Sequence, residues 1–292
     1  MSNEHSPVVR LRDYPRRHAQ QSASPFRYPG GKGFLTGYLS GVLEKMSGSD
    51  MIYAEPFCGG AGAAINLLRD GTCNEIHLND LDARIYSAWC AIVKETDRFL
   101  ERLDRVSVDV ETWRRSREII SSSSSGYDFE TGFAAYFLNR TSRAGIILGS
   151  GPIGGYDQKS NWNIDARFYR ESMKLRISWI GSQRDRIFLS NKPALDFLRD
   201  HASTHDTNKT LYFIDPPYVV AGSRLYLDSM DLASHRALSD YLKSGSLPHW
   251  VLTYDNDPLI RKLYAGCNVR ELEVNYSLRN TRKAKEVLIQ MN

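Results

Sequence analysis

Residues 51–68 read MIYAEPFCGGAGAAINLL, and the order of events in them decides the fold. An apolar run stops at Glu55, a turn carrying Gly59, Gly60 and Gly62 comes next, and a helical pattern starts at once. Such a unit lets a backbone approach a ligand closely, with helix N–H groups facing it. Many strand–helix turns use glycine only for its positive φ, so the turn alone names no ligand. The next strand-like run, EIHLN (75–79), adds a second signal. It leads into Asp80, about 20 residues beyond the glycines, where doubly wound sheets place an acid on a ribose diol. Together the two signals indicate a nucleoside cofactor. The turn lacks GxGxxG spacing, which disfavours a nicotinamide dinucleotide.

Working outward, strand-like runs recur at TLYFI (210–214), WVLTY (250–254), VRELEV (269–274) and EVLIQM (286–291). Helical patterns lie between them. GAAINLLRDG (62–71) closes on Gly71 as a C-cap, and LDARIYSAWCAIVKETDRFLERL (81–103) repeats apolar residues every three or four positions. Strands alternating with helices predict an α/β fold with a doubly wound, mostly parallel sheet. The alternation breaks from about residue 100 to residue 205, where helical patterns, loops and the linker-like serine run Ser121–Ser125 dominate. The expected organisation is a flexible basic arm (1–25), an α/β domain (26–100 and 206–292) and an inserted, mainly helical subdomain (101–205).

The 292 residues are 41% apolar, enough for a large core, with a net charge of +4. Arg10, Arg12, Arg16 and Arg17 gather in the N-terminal arm. A mildly basic balance fits a nucleic-acid partner without requiring one. Cys58, Cys73, Cys90 and Cys267 are scattered, with no CxxC spacing and no accompanying histidine pairs, so neither a disulfide framework nor a zinc site is indicated. No apolar run approaches the roughly 20 residues a bilayer span needs. The N-terminus has no signal-peptide core, and a soluble intracellular protein without membrane partners is expected.

Two further stretches carry chemistry. FRYPGGKG (26–33) tempts a P-loop reading, but the first glycine of GxxxxGK[ST], ahead of Gly31, and the Ser or Thr after Lys32 are both missing. A lysine beside bare backbone can still hold a carboxylate through a charge-assisted contact. LYFIDPPYV (211–219) ends an apolar strand on Asp215 and stiffens the next two positions with Pro216 and Pro217. The prolines remove N–H donors and leave a patch of acceptors, the Asp215 carboxylate and the Pro216 carbonyl. Two acceptors suit an exocyclic amine, and Tyr218 offers a flat face on which a base can stack.

These stretches, in this order, resemble the Dam-like D12 class of DNA adenine-N6 methyltransferases. FRYPGGKG, EPFCGGAG and FIDPPY carry the likeness; FLNRTSRAG (137–145) and SLRNTRKAKEVLIQMN (277–292) extend it over residues 26–292. Tyr-Pro-Gly-Gly-Lys stands where the family more often has Trp-Ala-Gly-Gly-Lys, and GIILGSGPIGGYDQKSNWNIDARF (145–168) departs from the best-known members, leaving the recognition sequence open. The resemblance implies the S-adenosylmethionine-dependent methyltransferase fold and that cofactor. Tyr28, Lys32, Glu55, Phe57, Gly59, Gly60, Gly62, Asp80 and Asp215 would line it, with Lys32 on the methionine carboxylate and Asp80 on the ribose. Asp215, Pro216, Pro217 and Tyr218 would be catalytic, acting on an adenine flipped out of double-stranded DNA. Asn139, Arg140 and Arg143 would contact the DNA, among other insertion residues such as Asn161, Arg167 and Arg170. No metal is implied, a monomer or weak dimer is expected, and the setting would be the cytoplasm of a prokaryote or its phage. Cytosine N4, adenine in RNA, or a non-catalytic DNA-binding role remain as alternatives on the same fold.

Overall fold

The computed structural model describes residues 8–10, 13–14, 23–27, 30–46, 48–122, 126–218, 230–275 and 283–291. Five strands run parallel: β2 (Ile52–Glu55), β3 (Glu75–Asn79), β4 (Ile187–Ser190), β5 (Thr210–Ile214) and β6 (Trp250–Asp255). Beyond β6, β8 (Lys283–Gln290) inserts antiparallel between β6 and β7 (Asn268–Asn275). The short β1 (Val8–Val9) completes an eight-stranded sheet of order β1-β7-β8-β6-β5-β2-β3-β4. The chain lays β2, β3 and β4 toward one edge, then returns to place β5 on the other side of β2. The strand order therefore reverses between β2 and β5, where open α/β sheets bind ligands beyond their carboxyl ends.

Apolar side chains cover both faces, as parallel strands require. One face packs under α1 (Thr36–Leu43), α2 (Gly62–Arg69) and α3 (Ala83–Lys94); the other packs under α8 (Ala194–Thr204), α9 (Leu232–Lys243) and α10 (Pro258–Leu263). α2 ends as its sequence predicts, with Gly71 at φ +69° and its N–H bonded to the Leu68 carbonyl. The long pattern 81–103 is not one helix. It breaks at Glu95, and α4 (Thr96–Arg105) leaves at a new angle, with the Thr96 hydroxyl bonded back to the Ile92 carbonyl.

Two expected boundaries move. Val8 and Val9 pair with Glu271 and Leu272, so part of the N-terminal arm belongs to the sheet; Arg12, Arg16 and Arg17 lie outside the described residues. Residues 187–204, assigned to the insertion, form β4 and α8 of the sheet domain, with Ile76–Asn79 paired to Ile187–Ser190. The insertion is thus α4, α5 (Val110–Ser121), α6 (Phe129–Thr141) and α7 (Arg170–Ser182) with their loops; residues 123–125 of the serine run fall outside the description. Nor is it separate. α6 is buried on every side but Glu130, and its Phe133, Tyr136 and Phe137 share one apolar cluster with α2 and α3. α3 crosses it so closely that a Cβ on Gly132 would sit 2.4 Å from the Ser87 carbonyl oxygen.

Candidate active site

The two sequence motifs that face the switch point end adjacent strands. Glu55 closes β2 and Asp215 follows β5, with Tyr53 paired to Leu211 between them. The glycine turn after β2 has strained backbone, with Gly59 at φ +45° and Ala61 at φ +44°. It is held from three directions. Asp80, just past β3, accepts the Gly59 N–H at 2.8 Å and the Asp82 N–H at 3.0 Å. The Trp89 indole N–H bonds the Gly59 carbonyl at 2.8 Å, and the Ser24 hydroxyl bonds the Gly60 carbonyl at 2.5 Å. Burial and the neighbouring Asp82 push the Asp80 carboxyl up to about 7, against the pull of the Gly59 N–H. Both Asp80 oxygens thus hold backbone N–H groups, one in the glycine turn and one at the start of α3.

Glu55 points inward. It is 4% exposed, accepts from the Tyr53 hydroxyl at 2.9 Å and meets the Ala64 N–H at the start of α2. Burial raises its carboxyl to about 8, opposed by the Tyr53 hydroxyl and reinforced by the negative Asp215. Its place is beneath the loop, where it caps α2. Phe57 is half-buried and rests with Tyr218 on the apolar cluster under α9 and α10.

The Gly-Gly-Lys stretch and the glycine turn, distant in sequence, touch. A Cβ on Gly62 would lie 3.2 Å from the Gly33 nitrogen. Asn66, wholly buried on α2, accepts from the Ala23 N–H and donates to the Thr36 hydroxyl, which fixes Ala23 and Thr36 against the helix. Tyr28 lies outside the described residues.

This contact carries Lys32 to Asp215. The ammonium is 3.0 Å from Asp215 Oδ2 and donates to the Tyr218 hydroxyl at 2.8 Å and the Gly30 carbonyl at 3.0 Å. Glu286 of β8 lies 3.7 Å away. All three ammonium protons therefore have acceptors. A buried ammonium needs a counter-charge, and here Asp215 supplies it. Asp215 is further oriented by the Thr253 hydroxyl, 2.6 Å from Oδ1, with Tyr218 Oη 3.4 Å from the same oxygen. Pro216 is buried and Pro217 half-buried behind it. Thr253 and Glu286 escaped the sequence reading. Thr253 had a signal, a polar residue inside the otherwise apolar run WVLTY; Glu286, at the head of EVLIQM, had none.

The insertion residues divide differently from expectation. Asn139 is fully buried; its amide accepts the Arg27 N–H and donates to the Arg27 and Gly145 carbonyls. Arg140 is 6% exposed and reaches the Pro25 and Arg167 carbonyls. Both are corrected from DNA contacts to internal clamps, because α6 is enclosed on the side they occupy. Arg143 is exposed. It lines a cavity of about 580 Å³ with Trp113, Arg114, Arg117 and Tyr156. Arg114 lies over the Tyr156 ring and Arg117 over the Trp113 ring, at 5.8 and 5.7 Å.

A doubly wound sheet with a glycine loop and an Asp-Pro-Pro-Tyr turn at its switch point is the setting of a methyltransferase of the α/β class. The chain belongs to the D12 class N6 adenine-specific DNA methyltransferases, whose family model matches residues 28–278. It is an adenine-specific DNA methyltransferase. Two solved structures of the rRNA methyltransferase aviRa from Streptomyces viridochromogenes are similar over 97% of this chain and 96% of their own, at 14% and 12% identity with TM-scores of 0.40 and 0.39. No curated protein matches the chain significantly. Among the described residues no helix is long and apolar enough to cross a membrane.

Proposed function

We propose that the chain methylates N6 of an adenine flipped out of double-stranded DNA, using S-adenosylmethionine. The observation that carries this reading is Asp215 at the carboxyl end of β5, held by Thr253 and Lys32 beside the glycine loop of β2. The cofactor supplies the methyl group on a sulfonium. The residues present suit it: a glycine turn at the end of β2, half-buried Phe57, and the Asp80 carboxylate at the end of β3.

Adenine N6 is a poor nucleophile because its lone pair is delocalised into the ring. Asp215, with the Pro216 carbonyl, accepts its two N–H groups and draws the lone pair onto nitrogen. Thr253 fixes the carboxylate, and Lys32 supplies its counter-charge. Most of the rate then comes from positioning and electrostatics. Forming the N–methyl bond leaves the amine with one proton too many, which departs to solvent or through Asp215. A stacked base cannot reach this turn, and unstacking it costs a few kcal/mol. Stacking on Tyr218 offsets that by roughly 1–3 kcal/mol. The cavity around Arg114, Arg117 and Arg143 replaces Asn139 and Arg140 as the DNA-facing part of the insertion, its arginines suited to phosphates and its aromatic rings to bases.

The test is transfer of labelled methyl from S-adenosylmethionine to duplex DNA, followed by digestion and mass identification of the nucleoside. N6-methyl-2′-deoxyadenosine from the wild type, at a level that Asp215→Ala lowers about 100-fold or more, supports the reading. N4-methylcytosine as product, or undiminished transfer by the variant, overturns it.

A further inference from the structure

Away from the transfer site, three histidines meet under the opposite face of the sheet. His77 is on β3; His201 is on α8, and His205 caps that helix one turn later. One ring nitrogen from each lies within 4.8 Å of the others. The His201 and His205 rings stack at 4.1 Å, and each meets His77 edge-on at 4.8 Å.

The three could be a stacked aromatic cluster and nothing more. Their hydrogen bonds argue for a ligand. Each ring has one nitrogen engaged by a partner: His77 Nε2 by the Glu75 carboxylate at 3.3 Å, His201 Nδ1 by the Tyr212 hydroxyl at 2.9 Å, His205 Nδ1 by the Thr204 hydroxyl at 2.8 Å. That leaves the second nitrogen of each for the cluster. The Nε2 of His201, a residue only 4% exposed, finds no hydrogen-bond partner among the described residues. A buried ring nitrogen with nothing to bond is costly unless a ligand completes it. Oriented imidazoles whose outer nitrogen is held by a carboxylate or hydroxyl are how proteins prepare metal ligands.

We propose that His77, His201 and His205 bind a late first-row divalent cation, zinc by preference, with water in the fourth position. Three imidazoles and an open position suit zinc, and imidazole donors disfavour magnesium or calcium. Tetrahedral ligation needs nitrogens about 3.3 Å apart at ordinary zinc–nitrogen lengths. The stacked His201 and His205 rings lie 15° from parallel, so their in-plane lone pairs meet on one ion only when the His205 ring turns out of the stack; it has the freedom to do so, being half-buried and just beyond the last turn of α8. The ion would tie α8 to β3, three residues before Asp80, bracing the strand whose end holds the glycine loop. This proposal is independent of the methyl-transfer reading.

The experiment uses the full chain stripped with a chelator. Titration with Co²⁺, followed by visible absorption, should give the intense bands of a tetrahedral site at one ion per chain. Zinc should displace the cobalt and raise the melting temperature, whereas magnesium does neither. His205→Ala, at a half-buried position outside the helix, should fold as wild type and lose the cobalt bands. Glu75→Gln should weaken zinc binding about 10-fold or more. A pale octahedral cobalt spectrum with no zinc-dependent melting shift overturns the proposal. So does cobalt binding that His205→Ala leaves unchanged, which would assign the ion to cysteines.

Discussion

The carboxyl edge of the sheet and the inserted helices both carry the polar residues that a DNA methyltransferase calls for, and they use them in opposite ways. At the edge, Lys32 meets Asp215 at the end of β5, while Asp80 at the end of β3 holds the glycine turn that follows β2. In the insertion, Asn139 and Arg140 look equally well suited to DNA, yet they are folded inward onto backbone carbonyls. A strand end in an open α/β sheet has only one direction to face, out over the carboxyl edge. A helix residue can face anywhere, and packing chooses. α6 is enclosed all round, so its polar residues are needed to satisfy the chain beneath it.

Four variants can break or sharpen that contrast. The largest effect belongs to Asp215→Ala, which should lower methyl transfer by about 100- to 1,000-fold; it leaves Glu286 as the remaining counter-charge of buried Lys32, so the melting temperature should fall while the protein stays folded. A variant that unfolds instead would make Asp215 structural, like Asn139. Next comes Asn139→Ala, which strands the Arg27 N–H and two carbonyls; stability should fall by about 3 kcal/mol in urea denaturation, with unchanged salt dependence of DNA binding. Loss of DNA affinity without loss of stability would return Asn139 to the interface.

Smaller effects test the support on each side. Thr253→Val removes the hydroxyl that orients Asp215 and should cut kcat about 10-fold with little change in KM. Equal activity would mean that Lys32 alone positions the carboxylate. Arg143→Ala should weaken binding to all DNA sequences alike and lower the slope of log affinity against log salt by about 1, read by titration at several salt concentrations. A change confined to one base position would make Arg143 a base reader.

Much of the edge was legible beforehand because its signals are local. β2, β3 and β5 fall within a residue of their apolar runs, and Asp215 comes directly after the last of these. The break at Glu95, the return of β4 to the sheet and the enclosure of α6 were not legible. Each depends on neighbours packed alongside: Gly181 against Thr96, Ile187–Ser190 against β3, and Gly132 against Ser87. The histidine cluster escaped for a related reason. His77 lies more than a hundred residues from His201 and His205, and only the packing of α8 on the sheet unites them.

By itself, then, the sequence determined the class of chemistry and the residues that end its strands, because hydrophobic period, glycine turns and the Asp-Pro-Pro-Tyr turn are written in adjacent positions. The tertiary structure decided the rest. It brought Lys32 across 183 positions to Asp215, added Thr253 and Glu286 from neighbouring strands, and turned Asn139 and Arg140 inward. Burial and pairing are properties of a residue's surroundings, and those surroundings come from parts of the chain that no local pattern can join.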